Sequence, residues 1–321
     1  MITCPFCPEF HNDSVSECPE KKIKIPPVYI NEVMEGTPVV FIYTIGYRGY
    51  GKTCFFGSFF YTLYEGFISK IWPKFSFLGL NQETLNDIHS NYVIPLQQGH
   101  LPGATPVMFR TPLILLLQNI PFKIKGLKGL FKKGFELKKI IFVFYDVGGE
   151  TFEVDERIRE NLPILDKVET MVFLINLPKI LEEDPQSASE RLHNLFNTTF
   201  LALRGWTEEK NALLCFIWAD EMWGKDNIYG PLSKKRSDNL PSIEGIPHYL
   251  HELKKHSFDI STYIKNKYPA FYNAIEVNFN SVYMTSVSSL GCKAVDGRIT
   301  HLAPFHIFDP TLWILHLEGH L

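Results

Sequence analysis

The chain has 321 residues, 45% of them hydrophobic and 14% aromatic, with a formal net charge of −3 at pH 7. That composition supports a large core or two modest ones. The near-neutral balance gives no general drive toward nucleic acid, and no apolar run is long enough to span a bilayer.

From the N-terminus, the first 25 residues are polar and read as a small appendage with a linker. Cys4-Pro-Phe-Cys7 is a C-x-x-C knuckle, with His11 and Cys18 downstream. Three thiolates and one imidazole make a tetrahedral Zn²⁺ set. A regular ribbon would repeat the C-x-x-C at Cys18, but position 21 is Lys21, so His11 has to be the fourth ligand. The competing reading is a decayed ribbon with free surface thiols. A metal here would be structural or partner-binding, because the set has no open position for catalysis. Cys54, Cys215 and Cys292 lie in apolar segments and read as buried thiols. The N-terminus lacks the basic-then-apolar layout of a secretory signal, and the cysteine pattern fits a reducing cytoplasm. Residues 36–321 read as one further domain.

Val39 to Ile45 is a β-type apolar run leading into Gly46-Tyr-Arg-Gly-Tyr-Gly-Lys-Thr53, a complete G-x-x-x-x-G-K-[ST] pattern. A helix-length apolar stretch follows from Cys54. Strand, glycine loop and helix in that order give a phosphate-binding loop rather than a Gly-rich turn with an incidental lysine. Backbone N–H groups from Gly46, Gly49 and Gly51 through Cys54 would surround the phosphates. Lys52 would reach the β- and γ-oxygens, and the Thr53 hydroxyl would ligate Mg²⁺.

Beyond the loop, apolar runs alternate with amphipathic segments. That is the pattern of an α/β P-loop NTPase with a mostly parallel sheet and helices on both faces. Strands are predicted near 39–45, 107–119, 138–146, 170–176, 212–219 and 281–287. Helices are predicted near 52–65, 82–95, 152–162, 187–204, 244–266 and 310–317. Between Phe122 and Lys139, seven lysines alternate with Phe, Leu and Ile. Three glycines argue against a helix there, so a long antiparallel hairpin with solvated lysines is expected. A basic patch for an anionic membrane or a partner is the alternative. A second polar insert, Trp223 to Pro247, reads as an exposed loop around Lys234-Lys235-Arg236.

Ile140 to Tyr145 ends in Asp146-Val-Gly-Gly149-Glu150. A carboxylate at the tip of a buried strand is placed to hold Mg²⁺, commonly through water. Gly149 can turn its N–H toward a γ-phosphate, which makes D-x-x-G the second switch of a GTP-binding protein. Glu150 then stands where an attacking water is oriented, either polarising it or holding the switch. A further cation could come from Arg48, Arg110 or Arg157, none of which has a motif behind it. The first switch needs a Mg²⁺-ligating hydroxyl: Thr105 in the loop-like segment 98–106 is the candidate, with Thr111 and Thr84 as rivals.

Taken together these motifs resemble the double-GTPase-type domains of the TRAFAC class of P-loop GTPases, a bacterial family often placed in conflict-related gene neighbourhoods. The resemblance covers roughly residues 36–317. Beyond the glycine loop it rests on Leu101-Pro102-Gly-Ala-Thr105, on Asp146 to Phe152 and on Val172-Phe-Leu-Ile175. It also rests on Ser286-Val-Ser288-Ser-Leu-Gly291, on Pro304 and on Asp309-Pro310-x-Leu312-Trp313. It implies GTP binding and Mg²⁺-dependent hydrolysis, with Thr105 as switch ligand and Glu150 as the characteristic acid. Ser288 would supply a backbone N–H to the base oxygen, as the family's closing loop would.

Base recognition departs from the pattern. GTPases end a strand in N/T-K-x-D, whereas Leu213 to Ile217 here is followed by Trp218-Ala219-Asp220. Asp220 fits the aspartate that pairs with guanine N1 and N2, and Trp218 replaces the lysine that lies along the base. A tryptophan can cover a purine by stacking, so GTP is expected, with ATP or relaxed specificity as the alternative. A non-hydrolysing adaptor built on the knuckle and the Lys-rich hairpin is the other alternative. A GTP switch would also need a protein effector or activator.

Overall fold

The computed structural model describes residues 1–46, 49–103, 111–124, 134–145, 165–183, 188–202, 207–236 and 240–321. At its centre lies a seven-stranded, mostly parallel sheet with strand order β4-β5-β6-β3-β7-β8-β9. The strands are β3 (Val39–Ile45), β4 (Ser76–Gly79), β5 (Leu113–Lys123), β6 (Phe135–Tyr145), β7 (Thr170–Ile175), β8 (Asn211–Phe216) and β9 (Ser281–Ser286). The two-residue strands β1 (Ile2–Thr3) and β2 (Phe10–His11) form a separate hairpin. β6, β3, β7, β8 and β9 run parallel, while β5 is antiparallel to both of its neighbours.

Parallel strands buried on both faces read as unbroken apolar runs rather than as alternation. Leu213 to Phe216 and Met171 to Ile175 are all buried. Helices cover both faces. Helix α1 (Pro27–Met34) precedes β3, and the helix α2 (Lys52–Tyr64) lays Phe56, Phe59 and Phe60 around Phe144 of β6 at 5.4–5.8 Å between ring centroids. On the opposite face, Phe173 of β7 meets Phe196 and Phe279, both at 5.5 Å. Each fully buried phenylalanine is worth about 1.5–3 kcal/mol, so α2 is fixed from several sides. That explains a helix apolar nearly all round.

Order along the chain creates a switch point. After β3 the chain builds β4, β5 and β6 on one side of that strand, then crosses to build β7, β8 and β9 on the other. In open α/β sheets, ligands bind beyond the strand C-termini where the order reverses. The 46–51 loop leaves β3 at that point.

The predicted strands and helices that fall on described residues are present, with ends moved by a few residues. β5 starts later than expected and runs on to Lys123, pairing with Phe135, so the two flanks of the Lys-rich stretch pair antiparallel; residues 125–133 and the predicted 152–162 helix lie outside the described residues. β4 and the helices Leu177–Glu183 and Pro269–Asn278 are additions to the sequence reading.

Two expectations need correction. The first 25 residues are no appendage: Ile2, Cys4, Phe6, Cys7, Cys18 and Ile25 are buried within the main core cluster. They sit on the sheet face where Tyr43 and Tyr145 stack, 5.3 Å apart. The Trp223–Pro247 insert is not simply exposed either. Arg236 reaches the buried Asp309 carboxylate at 2.6 Å, and the Trp72 indole N–H donates to the Pro241 carbonyl at 2.9 Å. A charge as buried as Asp309 needs such a partner, and the insert supplies it. Among the described residues, no helix is long and apolar enough to cross a membrane.

Candidate functional site

Gly46 follows β3 directly and lies against β7: a Cβ there would meet Leu174 Cβ at 3.3 Å. Gly49 has φ +73 and Gly51 φ +86, left-handed backbone that side chains carrying a Cβ rarely adopt. Gly51 is the N-cap of α2, and its carbonyl accepts the first helical bond from Phe55 N–H at 2.8 Å. The last loop residues therefore turn directly into a helix N-terminus, where N–H groups and the helix dipole favour an anion. Lys52 is buried and Thr53 half-buried in the first turn. Cys54 is buried, and burial pushes its thiol pKa up to about 11, so its backbone N–H is the group suited to an anion.

Trp218 and Asp220 stand next to this loop. Trp218 adopts left-handed backbone (φ 64, ψ 38) as the N-cap of the short helix Ala219–Met222. Its indole lies against Gly51, where a Cβ would come within 2.8 Å of Nε1. The residue that departs from the expected lysine thus packs against the last glycine of the loop. Asp220 is half-buried and accepts a hydrogen bond from the Ser288 hydroxyl, which in turn accepts from Gly291 N–H at 2.8 Å. Beside it, burial raises the pKa of the Glu221 carboxyl, against the opposing pull of Lys293.

Ser288 does not play the part expected of it. Its backbone N–H is donated to the Phe305 carbonyl at 3.0 Å, and Phe305 N–H returns the bond at 2.8 Å. What it contributes is the hydroxyl that fixes Asp220. The adjoining Ser289 Oγ is buried with no hydrogen-bond partner among the described residues. A buried hydroxyl left in that state is costly unless a ligand meets it.

The sequence reading missed a cation. Lys179, on the helix that follows β7, brings Nζ against Gly49, within 2.8 Å of where a Cβ would be, and lies 5.7 Å from the Tyr50 ring centroid. Its backbone N–H is capped by Asn176 Oδ1 at 3.0 Å. No motif marks it, and only the spatial return of β7 beside β3 reveals it. A second missed feature is a small ladder. Leu101 N–H donates to Gly297 O at 3.0 Å, and Ile299 N–H donates to Gly99 O at 2.7 Å. The loop after β9 therefore holds the segment that leads toward Thr105. Pro102 lies over α2 where Gly57 leaves room, since a Cβ there would meet Pro102 Cγ at 2.9 Å.

Thr105, Asp146, Gly149 and Glu150, with Arg48, Arg110 and Arg157, lie outside the described residues. Of their neighbours, Leu101 packs in the small cluster that contains Cys54 of α2, and Tyr145 pairs with Tyr43 of β3. Cys4, Cys7, His11 and Cys18 are brought together, with their ligand atoms all within 4.8 Å of one another.

No protein-family model matches the sequence, and no curated protein matches it. Among solved structures, a chain of the signal recognition particle receptor SRb-GTP/SRX complex from Chaetomium thermophilum is similar over 81% of this chain and 94% of that one, at 12% identity and a TM-score of 0.35. At that level the likeness carries no weight for function, which rests on the site's own chemistry.

Proposed function

We propose that the chain binds a nucleoside triphosphate with Mg²⁺, GTP in preference, and hydrolyses it as a two-loop switch. The observation that carries this reading is the position of the G-x-x-x-x-G-K-T loop. It leaves the central strand at the switch point of the sheet and turns through left-handed Gly51 into the N-terminus of α2. The Gly46, Gly49 and Gly51 backbone and Lys52 would bind the phosphates, with the Cys54 N–H closing the cradle. The donor set fits Mg²⁺: Thr53 sits in the first turn of α2, and Thr105 and Asp146 are the partners the motifs supply. Bound there, the ion would neutralise charge on the phosphate oxygens.

Gly149 would sense the γ-phosphate and Glu150 would orient water. Lys179, against Gly49, would add positive charge to the loop that the sequence left to an arginine. Asp220, held by Ser288, would read the base, and Trp218 would cover it from the loop side. The motifs are those that resemble double-GTPase domains of the TRAFAC class, and an effector or activating partner in a reducing cytoplasm belongs to the same reading. Switches of this kind order two loops around the γ-phosphate and release them after hydrolysis.

The test is the mass of the nucleotide released by denaturing the purified protein, followed by turnover. Guanine nucleotide and a hydrolysis rate that Glu150→Ala lowers support the proposal. Adenine nucleotide would shift it to the ATP reading that Trp218 favours. Binding with no turnover above Glu150→Ala, with or without candidate activators, would leave an adaptor.

A further inference from the structure

We propose that Cys4, Cys7, His11 and Cys18 hold one Zn²⁺ that acts as a strut of the central sheet rather than as the heart of a detachable finger. The four ligand atoms already lie within 4.8 Å of one another. Zn–S bonds of ~2.3 Å place sulfurs in a tetrahedron ~3.8 Å apart, so a small contraction completes the set. Cys7 Sγ and His11 Nε2 are 3.2 Å apart, which is close to the spacing of two ligands on one ion.

One hairpin builds three of the ligands and a second tight turn brings in the fourth. β1 and β2 pair Ile2 with His11 and Thr3 with Phe10, so the C-x-x-C turn is the hairpin loop and His11 closes it. Cys18 N–H bonds to Ile23 O at 2.8 Å, Lys22 N–H returns to Cys18 O at 2.9 Å, and Lys22 takes φ +55 to make the turn. Amides point at the sulfurs as they do at thiolates: Phe6 N–H to Cys4 Sγ and Lys21 N–H to Cys18 Sγ, both at 3.4 Å. Three thiolates, one neutral imidazole and Zn²⁺ leave a net charge of −1. The Lys167 ammonium, which donates to Glu9 O at 2.8 Å and to Cys7 O at 3.2 Å, stands where it offsets that charge.

The attachment to the sheet separates a strut from a finger. The Tyr145 hydroxyl donates to Pro5 O inside the C-x-x-C turn, and the Tyr29 hydroxyl donates to Thr3 O at 2.6 Å. Tyr145 ends β6 and stacks on Tyr43 of β3, and Phe6 is buried in the same core. The metal hairpin therefore fills a sheet face that a helix would otherwise cover, next to the strand whose following residue is Asp146. Its loss would expose the centre of the sheet rather than fray a terminus.

Metal content, thiol accessibility and thermal unfolding of the full-length protein test this without any nucleotide. One zinc per chain is expected, with no iron-type absorbance and no reactive thiol among the three cysteines. A strong chelator should lower the midpoint of a single cooperative unfolding transition by about 10 °C or more. Cys7→Ser should lose the zinc, and His11→Cys, which exchanges the imidazole for a fourth thiolate, should keep it. Tyr145→Phe should keep the zinc and lower the midpoint, because only the tie to the sheet is cut. Two results would overturn the proposal: a folded protein from zinc-supplemented growth that carries no zinc, or a chelator that melts a separate low-temperature transition while the main midpoint stays put. The first denies the site and the second denies the strut, and neither depends on the nucleotide reading.

Discussion

The two ends of the candidate nucleotide site are built differently. At the phosphate end the chain folds locally: a strand, left-handed Gly49 and Gly51 and a helix N-terminus follow within a few residues. At the base end the parts come from separated segments. Trp218 and Asp220 follow β8, Ser288 and Gly291 follow β9, and hydrogen bonds join them across about 70 residues of chain. One end is fixed by backbone geometry, and the other by side-chain contacts that exist only once the sheet has formed. Substitutions at the first should act all-or-none, and substitutions at the second should grade selectivity.

The largest effect should come from Lys52→Ala. On the proposed reading this ammonium would make charge-assisted hydrogen bonds to phosphate, worth about 1.5–3 kcal/mol each, so its removal should weaken triphosphate binding by roughly 100-fold or more. Calorimetric titration reads this, and unchanged affinity in a folded variant would end the phosphate reading. Gly51→Ala comes next. It combines a positive φ, costing about 1–2 kcal/mol for a residue with a Cβ, with an indole nitrogen 2.8 Å from the new methyl. Pairing it with Trp218→Ala in a double-mutant cycle should recover the steric part and leave the backbone part. Full additivity would mean that Trp218 does not press on the loop.

Smaller changes belong to the side chains that later segments bring to the site, at the base end first. Ser288→Ala takes away the donor to Asp220, so the carboxylate should lose its fixed aim. The loss should be near 1 kcal/mol, or about fivefold in GTP affinity, with ATP affinity unmoved. Competition of a fluorescent guanine nucleotide by each triphosphate measures this, and equal loss for both would remove Asp220 from base recognition. The smallest effect is expected from Lys179→Met. A half-exposed ammonium beside an aromatic ring and a glycine loop is worth about 0.5–1 kcal/mol, and it should weaken with salt. A salt-independent effect would instead point to packing by its stem.

The contrast between the two ends also decided what could be read from sequence. Val39 to Thr53 announced its structure because the glycines, the lysine and the apolar runs flanking them each dictate a local conformation. Trp218 announced only a departure: its left-handed backbone and its contact with Gly51 depend on β8 lying two strands away from β3. Lys179 gave no signal, since its closeness to Gly49 comes from β7 returning beside β3. The N-terminal cysteines were legible as a ligand set, but their burial was not. Tyr29, Tyr43 and Tyr145, which anchor them, are scattered through the chain and look like ordinary core aromatics. β4 is short and partly exposed, so it lacks the apolar run that marks a strand buried on both faces.

The ladder between Gly99–Leu101 and Gly297–Ile299 has a consequence for the kinetics of any switch that includes Thr105. It joins two segments far apart in the chain, Gly99–Leu101 ahead of β5 and Gly297–Ile299 after β9. The entropy of closing so long a stretch grows only with the logarithm of its length, so two backbone hydrogen bonds can hold the closure once the sheet between them has formed. Gly297 takes φ +74, which proline cannot adopt. A Gly297→Pro substitution should therefore unfasten Leu101 and free Pro102 from its place over α2, slowing any switch that starts there without removing a group of the glycine loop.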